Sequence, residues 1–125
     1  MNLVDSSGWL EYFADGPNAE FFSGAIENVA ELVVSSVNIY EVFKRVLQQK
    51  GENLALRAVA TMGQGKLVEV DERIALSAAQ LAISLKLPMA DSMILATAHA
   101  CDAVLWTQDA DFERLEGVRY RAKRD

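Results

Sequence analysis

Asp91-Ser-Met-Ile-Leu-Ala-Thr-Ala-His-Ala-Cys-Asp-Ala-Val-Leu-Trp-Thr-Gln-Asp-Ala-Asp-Phe112 reads as a helix, a short turn, an apolar strand, and then a burst of acid where that strand should end. Asp91 stands at the helix start, and Asp109 and Asp111 lie beyond the strand. Open α/β sheets place ligands at the carboxyl ends of their strands, so this one segment points to a fold and to a site. The N-terminus repeats the arrangement, because Asn2-Leu3-Val4 is a short apolar run ending in Asp5. Several acids converging on one sheet edge, with no histidine or cysteine cluster, form a donor set for a hard divalent cation such as magnesium.

The rest of the chain alternates in the same way. A strand at 2–5 leads into an aromatic-rich helical stretch containing Trp9, Leu10, Tyr12 and Phe13, closed by the turn signal Asp15-Gly16-Pro17. A short helix is predicted from Glu20 to Asn28, and the β-branched run Leu32 to Ser35 predicts a buried strand. Ile39, Val42, Phe43, Val46 and Leu47 recur at helical spacing, so 37–50 is a helix that Ser36 or Asn38 can cap and Gly51 ends. Further helices over 53–62 and 72–86 flank a strand at 66–70, Leu87-Pro88 breaks the chain before the opening segment, and a last strand covers 118–121. Strands alternating with helices of these lengths predict an α/β fold of three layers: a central, mostly parallel sheet of about four or five strands with helices on both faces.

A chain of 125 residues is expected to be a single domain, residues 1–125, large enough for its own core. With 51% hydrophobic and 24% charged residues it is a folded globular chain, and no apolar run approaches the roughly 20 residues of a membrane span. The N-terminus carries no basic flank or small-residue cleavage site, and the lone Cys101 excludes an internal disulfide. A cytoplasmic protein without membrane association is expected. The net charge of −6 runs against a nucleic-acid partner, since phosphate backbones favour basic surfaces. Yet five of the twelve basic residues fall after position 113: Arg114, Arg119, Arg121, Lys123 and Arg124. A solvated tail is the simpler reading of that cluster.

Each acid also has a plain structural explanation. Asp5 and Asp91 can cap helices, and turn chemistry accounts for one of Asp109 and Asp111. Glu41 lies opposite the apolar stripe of its helix, which periodicity assigns to solvent, although the first turn of a helix tolerates an anion. Their convergence is what asks for more. Two carboxylates about 4 Å apart repel by roughly 4 kcal/mol at an effective dielectric near 20, so three or four require a proton or a cation. Other signals carry little. Gly63-Gln64-Gly65-Lys66 lacks phosphate-loop spacing and precedes a strand. His99 and Cys101 do not share a helix face, and no cofactor-binding motif is present.

Asp5-Ser6 after a first strand, Glu41 early in a helix, Asp91 opening Asp-Ser-Met-Ile-Leu-Ala-Thr-Ala, and Trp106-Thr107-Gln108-Asp109-Ala110-Asp111-Phe112 together resemble the PIN domain. Within that family the chain looks most like the VapC-type toxins of toxin–antitoxin pairs. The resemblance spans essentially the whole sequence and is most specific over 91–112. It implies a Mg²⁺- or Mn²⁺-dependent endoribonuclease, in which metal-activated water attacks an RNA phosphodiester in line. Asp5, Glu41, Asp91 and Asp109 would be its acidic quartet, with the metal held by Asp5, Asp91, Asp109 and Asp111. Whether Asp111 binds directly or as an accessory group stays open. Ser6 and Thr107 match hydroxyl positions that orient carboxylates or water. The resemblance further implies a homodimer, a cognate antitoxin that blocks the groove, and an interface role for some of Trp9, Tyr12, Phe13, Phe21 and Phe22, the others being core. Two alternatives remain: an aspartyl phosphotransferase or phosphatase using a strand-end Asp, and a non-catalytic interaction module whose acids only cap helices.

Overall fold

In the computed structural model, which describes residues 1–124, five short strands form one sheet. They are Asn2–Val4 (β1), Leu32–Ser35 (β2), Lys66–Val68 (β3), Val104–Thr107 (β4) and Val118–Tyr120 (β5). Their order is β3-β2-β1-β4-β5, and every neighbouring pair is parallel. The order reverses at β1, which pairs with β2 on one side and β4 on the other. That reversal opens a crevice at the carboxyl ends of β1 and β4, the place where such sheets bind ligands.

Six helices cover the sheet: Ser6–Phe13 (α1), Ala19–Ile26 (α2), Ser36–Lys50 (α3), Glu52–Met62 (α4), Glu72–Leu85 (α5) and Met89–Ala100 (α6). The period-2 alternation of the strands sorts their side chains to two cores. Val4, Leu32 and Val34 pack against Trp9, Phe22, Ile26, Val42 and Met62 beneath α1 to α4. Leu3, Val33 and Leu105 turn the other way and meet Leu87, Ile94, Leu95 and Phe112 beneath α6. Helix α5 packs on α6 through Ile74, Ala78 and Ala96. Of the aromatic residues, Trp9 and Phe22 are wholly buried, while Tyr12, Phe13 and Phe21 are half-buried against the same core. Gly8 lets α1 sit this close, since a Cβ there would lie 2.6 Å from the Phe22 ring and 2.7 Å from Val4.

The expected elements are all present, with shifted ends. Helix α1 starts at Ser6, directly on Asp5, whose carboxylate accepts the Ser6 N–H as N-cap. The cap of α3 is Ser35, in place of Ser36 or Asn38, and Asn38 completes a capping box by accepting the Ser35 N–H. Gly51, at φ 89°, both closes α3 and precedes α4. Helix α6 opens on Pro88 with no side-chain cap bond, so Asp91 is a first-turn residue and does not cap it. Among the described residues no single helix is long and apolar enough to cross a membrane.

Candidate functional site

Each acid reaches the β1/β4 crevice because a strand ends or a helix begins there. β1 stops at Val4 and delivers Asp5, whose own N–H is held by the Trp106 carbonyl of β4 at 2.8 Å. β4 stops at Thr107 and the chain passes through Gln108 to Asp109. Asp109 then caps a single 3-10 turn, Ala110–Phe112, by accepting the Asp111 N–H at 2.9 Å. That turn faces the first turn of α6, so carboxylate oxygens of Asp91, Asp109 and Asp111 all lie within 4.8 Å of one another. Asp5, Glu41, Asp91 and Asp109 line a pocket of about 250 Å³ together with Ser6, Ser7, Leu10 and Arg45. Asp111 sits on the exposed outer side, joined to the cluster through Asp91 and Asp109.

Hydroxyls fix the carboxylates. Asp5 is almost wholly buried, and its Oδ2 accepts from Ser7 Oγ at 2.8 Å and from Thr107 Oγ1 at 2.9 Å. Thr107 Oγ1 also accepts the Asp109 N–H at 2.9 Å, so one hydroxyl holds both strand-end acids in register. Ser6 Oγ donates to Glu41 Oε1 at 2.7 Å and receives Asn38 Nδ2–H at 3.0 Å. Glu41 is therefore half-buried and directed at the crevice, although helical periodicity assigns it to solvent. Periodicity reports only which side of α3 meets the core; Ser6, thirty-five residues earlier, supplies the partner it cannot see.

The electrostatics follow from crowding. Burial, and after it the charges of Asp109, Asp5 and Asp111, push the Asp91 carboxyl up to about 8. Burial also raises Asp5 to about 6, with Asp109 adding to the rise and the Ser7 and Thr107 hydroxyls opposing it. A cluster that takes up protons near neutral pH is one whose full ionisation calls for a cation. The donors are all carboxylate oxygens, within reach of one another and free of nitrogen or sulfur, the set that suits magnesium or another hard divalent ion.

Ser7, Asn38 and Arg45 are pocket or supporting residues that sequence reasoning missed. Ser7 had a signal, being a second hydroxyl after a strand-end acid. Asn38 showed only its capping role, and Arg45, one turn beyond Glu41, had no local signal.

The sequence profile of the PIN domain matches residues 3–118. Among solved structures, a toxin–antitoxin complex from Klebsiella pneumoniae contains a chain that is 23% identical, with a TM-score of 0.80 over 95% of this chain and 96% of that one. A DNA-bound VapBC from Salmonella typhimurium gives 17% identity and a TM-score of 0.74 over 98% of both chains. VapC20 of Mycobacterium tuberculosis, a Sarcin-Ricin loop cleaving toxin, gives 14% identity and a TM-score of 0.75 over 93% of this chain and 95% of that one. At such identities the likeness is one of fold. No curated protein matched the sequence.

Proposed function

The chain belongs to the PIN domain family, and from that membership we propose that it is a divalent-metal-dependent endoribonuclease, the toxin of a toxin–antitoxin pair. The observation that carries the reading is the meeting of Asp5, Asp91, Asp109 and Asp111 at the β1/β4 crevice, where burial and the neighbouring charges push the Asp91 carboxyl up to about 8 and a bound cation would take the place of its proton. Asp91, Asp109 and Asp111 would hold Mg²⁺ or Mn²⁺, with Asp5 completing the set from β1. When bound, the ion makes water a stronger acid and screens the phosphodiester from the surrounding carboxylates.

The chain's own residues do the positioning. Thr107 and Ser7 hold Oδ2 of Asp5 and the Ser6 N–H holds its Oδ1, which fixes the carboxylate against rotation, and Thr107 sets where Asp109 begins its turn. Ser6, steered by Asn38, holds Glu41 at the wall of the pocket, where its carboxylate can take a proton from an attacking water. Asp5 is poorly placed for the phosphotransferase alternative. Its Oδ2 accepts two hydroxyl bonds and its Oδ1 the Ser6 N–H, which hold it as a fixed anion and blunt it as a nucleophile.

A cognate antitoxin, and a homodimer in a cytoplasmic setting, complete the proposal. Leu76, Ile83 and Met89, on α5 and at the start of α6, are exposed large apolar residues that a homodimer would cover. The test of the activity is cleavage of RNA by the purified chain in Mg²⁺ or Mn²⁺ and in EDTA, beside Asp109→Asn. Cleavage only with the cation, lost in the variant, is expected; cleavage in EDTA, or equal cleavage by the variant, would overturn the proposal.

A further inference from the structure

Beside the acidic pocket lies a second, larger cavity of about 550 Å³, between α1, α3, α4 and the C-terminal segment. The two share Ser7, Leu10 and Arg45, so they adjoin along α1 and α3. Their charges are opposite. The larger cavity is lined by Arg45, Lys50, Arg57 and Lys123 and by a single carboxylate, Glu11. Glu11 is buried and already committed, its Oε2 accepting the Asn18 N–H at 2.7 Å. Among the described residues none of the four cations is in an ion pair; the one such pair joins the N-terminus to Glu31. In a chain of net charge −6, four exposed and unneutralised cations around one hollow make a local field for a polyanion.

Lys123 is not there by accident of a loose tail. Asn18 is wholly buried, and its Nδ2 donates to Gln108 Oε1 and to the Ala122 carbonyl, each at 3.0 Å. Arg124 closes the fastening, donating to Asn18 Oδ1 at 3.2 Å and to the Pro17 carbonyl at 3.1 Å. Gly16 is needed here, since a Cβ would sit 2.6 Å from the Glu11 carboxylate. Gln108 lies between Thr107 and Asp109, so the segment carrying Lys123 is tied to the residue that separates two members of the acidic site. Upstream, Arg119 stacks over Trp106 at 5.0 Å and Arg121 over Phe21 at 4.6 Å, which lays the segment against the fold. The basic cluster that reads as a solvated tail in the sequence is exposed but fastened.

We propose that this cavity is a phosphate track: Arg45, Lys50, Arg57 and the pinned Lys123 hold the single-stranded RNA that flanks the bond cut in the acidic pocket. The proposal rests on the ribonuclease reading and assigns the flanking strand to one side of the site. The apolar floor, with Leu10 and Phe13, suits sugars and base faces, while the cations pair with the backbone.

Binding of a fluorescein-labelled 12-nucleotide RNA, followed by anisotropy in EDTA over a salt series, separates the track from cleavage. The variant Lys50→Gln/Arg57→Gln/Lys123→Gln is compared with Lys66→Gln/Arg73→Gln/Lys86→Gln, which removes three exposed cations away from the cavity; both are first matched to wild type in melting temperature. Loss of three phosphate contacts should make the slope of log K against log salt shallower by about 2 in the first variant and leave it near wild type in the second. Equal effects of the two variants, or wild-type slope in the first, would overturn the track. So would cavity-dependent binding of a polyglutamate peptide with RNA binding unaffected, which would assign the hollow to an acidic protein segment. A wild type that binds RNA through these cations yet never cuts it would keep the track and remove the ribonuclease reading.

Discussion

Replacing Asp91 by Asn should stabilise the protein without metal and cost it most of its response to metal. In the fold, the Asp91 carboxyl is raised from 3.8 to about 8 by burial and by Asp109, Asp5 and Asp111. Between those values the folded chain keeps a proton that the unfolded chain has lost. Stability therefore falls as pH rises through that window and levels off above it. At about 1.4 kcal/mol per pKa unit the ceiling is near 6 kcal/mol. Asp91 is only half-buried, however, and solvent screening brings the cost to the order of 2 kcal/mol. For 125 residues that is about 8 °C in melting temperature. Asn stays neutral at every pH, so Asp91→Asn should melt close to wild type near pH 4 and about 8 °C above it at pH 8.5 in EDTA. Magnesium at a hundred times its dissociation constant should add about 2.7 kcal/mol to wild type and far less to the variant, reversing their order. Scanning calorimetry at both pH values, with EDTA and with Mg²⁺, measures all four states. Equal melting of the two proteins at pH 8.5 in EDTA, or an equal rise with Mg²⁺, would refute the reasoning.

Three further outcomes follow from particular contacts. Thr107→Val removes the hydroxyl shared by Asp5 and Asp109, so RNA cleavage should fall about 10–100-fold, with Thr107→Ser restoring most of it; unchanged single-turnover rates in the Val variant would contradict this. Asn18→Ala leaves Gln108 and the Ala122 carbonyl without their partner; a loss of about 1–3 kcal/mol in urea unfolding and faster trypsin cleavage after Arg121 and Lys123 are expected, and an equally resistant tail would show that the fastening lies elsewhere. Ile83→Glu, at an apolar side chain 82% exposed, should convert a dimer to a monomer in light scattering, and an unchanged mass would place any dimer contact on another face.

What the sequence could reveal was set by the range of the interactions involved. The strands at 2–4, 32–35 and 104–107 were legible because each is a short apolar run whose residues are needed on both faces of a covered sheet. The acids at their ends were legible for the same reason, since a strand that stops at a charge names its own edge. Neighbouring hydroxyls are harder to separate: Ser35, and not Ser36, caps α3, a choice fixed by backbone angles. Asp91 resembled a cap because capping residues and first-turn acids share the same few positions, and Pro88 took the capping place. Glu41 and the C-terminal basic residues were the least legible. Their partners, Ser6 and Asn18, are distant in sequence, and no local pattern encodes a hydrogen bond between α1 and α3 or between a tail and the α1–α2 turn.

The central claim is that the acids at the β1/β4 crevice are a divalent-cation site. A crystal soaked in Mn²⁺ and measured for anomalous scattering tests it most directly. An anomalous peak bonded to carboxylate oxygens of both Asp91 and Asp109, and absent in crystals of Asp109→Asn, is the expected result. A map with no peak in the crevice under saturating Mn²⁺, or with its peak on acids outside this cluster, would contradict the account.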